Sequence, residues 1–208
     1  MAEVVLVGGG GHARVLLRAL LDAGRSVCGY AAPTASGDEL PIAWLGDDET
    51  LLTSPSASGG EVVLAIGKYD GGAFRLLLQQ RYESAGYGFT PVVAPGAVVH
   101  VDVAIGHGTV VLSGAAVITG SRLGRACIVN TNASVDHDCV LGDDVHVGPG
   151  AVLCGAVQVG DHAFIGAGAT VVPGVRIAPG TVIGAGATVV RDVETAGVYV
   201  GSPARQVR

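Results

Sequence analysis

Charge is scarce in this chain. Asp, Glu, Lys and Arg together make up 14% of its 208 residues, and aromatic residues only 4%. Acidic residues outnumber basic ones by 18 to 12, for a net charge of −6. The basic face that binding to a phosphate backbone requires is therefore missing, which argues against nucleic acid as a partner. No apolar run approaches the ~20 residues of a membrane-spanning helix. The N-terminal stretch lacks the basic start and long apolar core of a secretory signal, so a cytoplasmic protein with no membrane partner is expected. Four cysteines (Cys28, Cys127, Cys139, Cys154) show no CxxC spacing, and they read as reduced packing residues.

Aliphatic residues and glycine are plentiful: hydrophobic residues make up 49% of the chain and 34 residues are glycine. From Val93 to Val189 an aliphatic residue falls on every sixth position without a miss, through Val99, Ile105, Val111 and so on. Four residues after each, up to Ala187, the side chain is small or β-branched, as at Ala97, Thr109, Ser121 and Cys127. A period of six suits neither a helix face nor a single strand. It suits a chain that coils with short flat sides, each contributing one inward side chain. Three sides give a triangular coil of about 18 residues, and stacked coils form a parallel β-helix. Glycines in register with the aliphatics read as corner residues that need unusual backbone angles. The repeat then assigns each residue a direction.

Residues 1–90 have a different texture. Val4 to Val7 reads as a buried strand, Ala13 to Ala23 as an amphipathic helix, Ser26 to Tyr30 and Glu61 to Ile66 as further strands, and Phe74 to Ala85 as a helix. Alternating strands and helices predict a small parallel α/β domain, with the β-helix occupying 91–208. Open ends of a β-helix expose unpaired strand edges. The N-terminal domain is expected to cap one end and the tail from Tyr199 to Arg205 to protect the other.

Two stretches carry chemistry. Gly8, Gly10 and Ala13 fit G-x-G-x-x-A between a strand and a helix, where backbone amides and the helix dipole would hold a diphosphate. A plain tight turn would use the same residues. The first domain is too short for a full dinucleotide fold, and half of one suits a nucleotide-linked sugar. Gly67, at the end of a predicted strand, should face the same crevice as Gly10, Gly11 and His12. The second stretch is the polar run Asn130 to Asp138 inside an otherwise apolar repeat. His137 lies two residues after inward-facing Val135, so it points outward, flanked by Asp136 and Asp138. Neighbouring carboxylates raise imidazole basicity and select its tautomer, which suits a general base. His100, His107, His137, His146 and His162 are scattered and no two are one coil apart, so no metal is expected.

These residues resemble the hexapeptide-repeat sugar acetyltransferases, and within them the sialic acid O-acetyltransferase type that includes N-acetyltransferases of nucleotide-linked amino sugars. The resemblance rests on Val7–His12 (VGGGGH), Ala65-Ile66-Gly67, Asn130 through Cys139, Gly184 to Ala187 and Val200 to Ala204, and covers nearly the whole chain. It implies a half-Rossmann-like α/β domain followed by a left-handed β-helix, a homotrimer, and acetyl-CoA bound between neighbouring β-helices. It implies acetyl transfer to the amino group of a nucleotide-linked sugar, with His137 as base and Asp138 as its acidic partner. By position, His146 is implied near the thioester from an adjacent subunit, Gly155 as an amide donor to the thioester oxygen, Ala167 and Ala185 as pantetheine contacts, and Gly10, Gly11, His12 and Gly67 as nucleotide-sugar contacts. The chain departs from the family where an acidic pair often follows the second strand: here Ala31-Ala32 stands in its place. A sugar hydroxyl as acceptor, a non-catalytic scaffold or binding module, and a zinc hydratase on the same helix are the alternatives.

Overall fold

The computed structural model describes residues 3–53 and 60–207. The chain opens with β1 (Val4–Val7), α1 (Gly11–Asp22) and β2 (Val27–Ala31), then a short 3-10 turn at Gly37–Glu39 and α2 (Asp48–Thr53). β3 (Glu61–Leu64) and α3 (Phe74–Ser84) follow. β1 lies between β2 and β3, parallel to both. The strands and long helices fall within a residue or two of their sequence positions. The 3-10 turn and α2, too short to show a period, were not legible.

From Val92 onward the chain runs as two-residue strands separated by turns. Each strand pairs in parallel with the one a full coil later, as Ile128 with His146 and Ser134 with Val152. Three flat faces result. The first carries Val92–Val93, Val110–Val111, Ile128–Val129, His146–Val147, Phe164–Ile165 and Val182–Ile183; the second includes Ser134–Val135, and the third Val140–Leu141. The solenoid is left-handed. Its corners account for part of the glycine content: every sixth residue from Gly108 to Gly186, including Gly120, Asn132, Asp138, Asp144 and Gly150, has positive φ.

The sixth-position aliphatics from Val111 to Val189 are buried, as are the small residues four places later, from Thr109 to Ala187. Cys127 and Cys139 are free thiols inside this column. Val93 breaks the inward rule. It is 40% exposed, because the first coil has no coil before it to close over its side chain.

The N-terminal unit does not cap that open end. It packs on the first face: Val92, Val110, Leu112 and Ile128 share one core cluster with Val4, Leu6, Leu16 and Leu20. The outward residues of that face are apolar at these three strands, and burying them favours the flank over the end. The tail behaves as expected. Val198–Val200 extends the first face, Arg205–Gln206 turns back antiparallel on it, and Ala204 packs on the coil core.

Candidate functional site

His137 and Asp138 lie at the corner between the second and third faces. Asp138 adopts φ 59°, a left-handed conformation that Asp tolerates through its short polar side chain. This turns its carboxylate back so that Oδ2 lies 2.9 Å from His137 Nδ1. The turn is pinned from within by Ser121, whose hydroxyl donates to Asp136 O (2.8 Å) and accepts from Cys139 N–H (3.2 Å). The Asp138 hydrogen bond and the charges of Asp136 and Asp138 hold the His137 pKa above its ordinary 6.5. With Nδ1–H donated to Asp138, Nε2 is left free to accept a proton.

Glycines in the neighbouring coils clear the slot that this pair occupies. A methyl group built on Gly155 would stand 2.4 Å from His137 Nε2 and 2.5 Å from Cε1, and one on Gly120 would stand 2.3 Å from Asp138 Oδ1. The imidazole thus lies directly over Gly155. The Gly155 N–H has no hydrogen-bond partner among the described residues, whereas the corresponding N–H groups at Thr119 and His137 are taken by side chains.

The structure brings Gly67 beside the start of α1. Gly10 caps the N-terminus of α1, and the space above Gly10 and Gly11 is open. A methyl on Gly67 would stand 4.0 Å from His12 Cβ. Beside them, a cavity of about 230 Å³ is lined by Ile66, Gly67, Lys68, Tyr69, Asp70, Gly72, Phe74 and Arg75. Burial and the nearby Arg75 lower the His12 pKa to about 3, so His12 is neutral here. At the end of β2, Ala31 and Ala32 are buried, and Trp44 Nε1 donates to Ala32 O at 3.0 Å.

The remaining expected residues are spread over the chain. Ala167 and Ala185 are exposed and stack on one another at the corner between the first and second faces, one face away from His137 and Gly155. His146 lies on the first face, 6% exposed, against the N-terminal unit. Its Nδ1 lies 2.6 Å from Lys68 O, and its Nε2 lies 3.0 Å from Asn130 Nδ2. Asn130 Oδ1 accepts from Thr131 N–H, so the amide nitrogen faces the ring. His146 therefore carries its proton on Nδ1, and burial lowers its pKa to about 4. One chain alone does not bring His146, Ala167 and His137 together.

A buried ionic cluster gave no signal in the sequence. Asp144 accepts from Lys68 Nζ at 2.7 Å and lies 3.3 Å from Arg75 Nε, close enough to pair but not aligned as a hydrogen bond. All three side chains are at most 3% exposed. Arg75 also donates to Ile66 O and Ala126 O. Asp144 reads in sequence as one of many turn aspartates, because its partners lie in another unit of the chain. Among the described residues, no three His, Cys, Asp or Glu side chains form a group able to hold a metal ion, and no helix is long and apolar enough to cross a membrane.

The pattern of the bacterial transferase hexapeptide family (six repeats) matches residues 120–155 and 156–191. No curated protein matches the chain significantly. Among solved structures, the chain is similar to the perosamine N-acetyltransferase of Caulobacter crescentus, solved with CoA and GDP-perosamine, at 37% identity, 99% and 97% coverage of the two chains and a TM-score of 0.90. It is also similar to the acetyltransferase domain of PglB from Neisseria gonorrhoeae, at 29% identity over 100% of both chains and a TM-score of 0.93. WeeI from Acinetobacter baumannii, 24% identical over 100% of both chains with a TM-score of 0.85, shares the fold. By its repeats and by this identity along almost its whole length, the chain belongs to the hexapeptide-repeat acetyltransferase superfamily.

Proposed function

We propose that this protein is an acetyl-CoA-dependent N-acetyltransferase acting on a nucleotide-linked amino sugar, of the sialic acid O-acetyltransferase type. The observation that carries the reading is the His137–Asp138 pair, set in a slot cleared by Gly155 and Gly120. The similar Caulobacter crescentus enzyme supports the substrate class, having been solved with CoA and GDP-perosamine and also in forms with one histidine replaced. Residues 1–90 form the nucleotide-sugar unit, with the free amides of Gly10, Gly11 and His12 for the diphosphate and Gly67 opening the way past them. Residues 91–208 form the acetyl-CoA unit, and the four cysteines, none in a disulfide, suit a cytoplasmic protein.

In the reaction, the neutral amine of the sugar attacks the thioester carbonyl while His137 Nε2 takes its proton. The carbonyl oxygen gains negative charge, which the unpaired Gly155 N–H stabilises. Removing one such donor costs about 10²–10³ in rate in other acyl-transfer enzymes. The intermediate collapses to the amide, and CoA leaves as its thiol with the proton returned by His137. His146 stays neutral, and its Nδ1–H bond to Lys68 O ties it to the segment that lines the cavity. Ala167 and Ala185 sit on a different corner from His137, so the pantetheine arm meets both only in a groove between copies. The homotrimer that the family resemblance implies supplies such a groove, with His137 of one copy beside the His146 of the next.

Release of CoA thiol from acetyl-CoA across a panel of nucleotide-linked 3- and 4-amino sugars tests the reading. H137A should lose roughly 10²–10⁴ in turnover with unchanged thermal unfolding. Wild-type turnover in H137A, or no thiol release with any amino sugar, would sink it.

A further inference from the structure

Residues 67–73 leave the crevice end of β3 and lie down on the coil at three points. Lys68 O accepts the Nδ1–H of His146 at 2.6 Å. Lys68 Nζ reaches Asp144 at 2.7 Å. The third anchor is a backbone-to-backbone approach, since a methyl group on Gly71 would stand 2.1 Å from Gly180 O. Within the loop, Asp70 Oδ1 accepts from Gly72 N–H at 3.0 Å. Two aromatic rings nonetheless stand uncovered at the cavity rim: Tyr69, within this firmly held segment, is 81% exposed, and Phe74, the first residue of α3, 62%.

The cations of this cavity are already engaged. Lys68 is bonded to Asp144 and Gly72 O, and Arg75 to Ile66 O, Ala126 O and, as an ion pair, Asp144. The cluster keeps one net positive charge, two cations to one carboxylate, but each cation turns N–H donors to protein acceptors, which leaves fewer for a phosphate. Free donors for a phosphate lie on the adjoining wall, at the N-terminus of α1. What the cavity presents is ring surface, backbone and the exposed Asp70 carboxylate, which suits a sugar with its C–H face on the rings and its polar groups turned to the carboxylate and backbone. Gly67 joins the two walls without a side chain to bar the way.

We propose that Tyr69 and Phe74 bear the acceptor's sugar ring and determine which sugars are taken, while the α1 terminus holds the diphosphate. This deepens the reading of the protein as a nucleotide-sugar acetyltransferase and rests on it. The ring of Tyr69, not its hydroxyl, makes the contact; the anchored loop positions the backbone that carries Tyr69, and α3 the backbone that carries Phe74.

Titration calorimetry on the intact protein tests the assignment, using GDP, UDP and dTDP and the 4-amino-sugar conjugate of each, GDP-perosamine among them. The wild type should bind the conjugate of its preferred nucleotide about tenfold more tightly than the bare nucleotide, as one good aromatic contact provides. In the Y69A/F74A double variant that advantage should vanish while affinity for the bare nucleotide stays. Y69F should match the wild type. The proposal is overturned if no conjugate outbinds its nucleotide, if the double variant keeps the advantage, or if it loses nucleotide and conjugate alike. A changed solution mass in Y69A/F74A would overturn it too, by making the rings subunit contacts. Absence of thiol release with every amino sugar, with these binding differences intact, would instead reject the catalytic reading alone.

Discussion

Replacing Gly155 by alanine should disable the enzyme without unfolding it. The φ of Gly155 is not in the left-handed range, so the backbone accepts alanine. The three nearest atoms to the added methyl all belong to the His137 ring, at 2.4, 2.5 and 3.1 Å. An ordinary contact begins near 3.4 Å, so the ring must retreat by about 1 Å. The His137 side chain is 54% exposed, and an exposed ring can swing outward at little cost. Unfolding stability should change by no more than about 0.5 kcal/mol, as for other surface changes. Turnover should fall about 10²-fold, the usual consequence of a 1 Å misplacement of a reacting group. The alanine keeps its N–H, so the change isolates ring position from oxyanion stabilisation. A thiol-release assay gives kcat and the acetyl-CoA KM, and thermal melting gives the stability. The decisive measurement is the double variant: in an H137A background, G155A should cost nothing further, because both changes remove the same contribution. Full activity in G155A, or additive losses in the pair, would refute the placement of His137 over Gly155.

Activity of the wild type should rise as pH climbs through the raised pKa of His137, since only the neutral ring accepts a proton. In D138N, whose side chain also tolerates a positive φ, a pH–rate profile should show that limb moved to lower pH, toward 6.5, and a lower plateau. Acid should destabilise the fold. His146 falls from 6.5 to about 4 on folding, so the folded state binds fewer protons than the unfolded one between those values. Stability is then complete above pH 6.5 and declines by about 3 kcal/mol as pH falls to 4; His12, lowered to about 3, acts in the same direction. Urea unfolding at a series of pH values measures the slope; over this range His12 contributes about as much as His146, so H146N should lose roughly half of it. D144N leaves the buried Lys68 and Arg75 without their counter-charge, and urea unfolding should show a loss of roughly 3–5 kcal/mol.

The coil was legible because its cause is local. Each corner needs a positive φ and each side needs one inward aliphatic residue, so a six-residue period is printed along the chain. From that period the outward direction of His137 follows, and the exposed ring beside Asp138 agrees with it. Val93 shows the limit of the rule, since burial at the first coil depends on what lies beyond it. The clearance that Gly155 gives His137 was hidden within a general abundance of glycine. It becomes visible only once the coils are stacked in register.

Spacing along the chain therefore records the two kinds of architecture, the inward and outward positions of the solenoid, and the histidine–carboxylate pair, all set by residues within a coil or a single helix turn of one another. Three arrangements emerge on folding alone: the N-terminal unit docks on a flank of the solenoid, Asp144 gathers Lys68 and Arg75, and Tyr69 and Phe74 stay bare at a cavity rim. Those arrangements arise from apolar surface and opposite charge meeting between segments distant along the chain, such as Lys68 and Asp144 at 76 positions apart. No local pattern of residues records such a meeting.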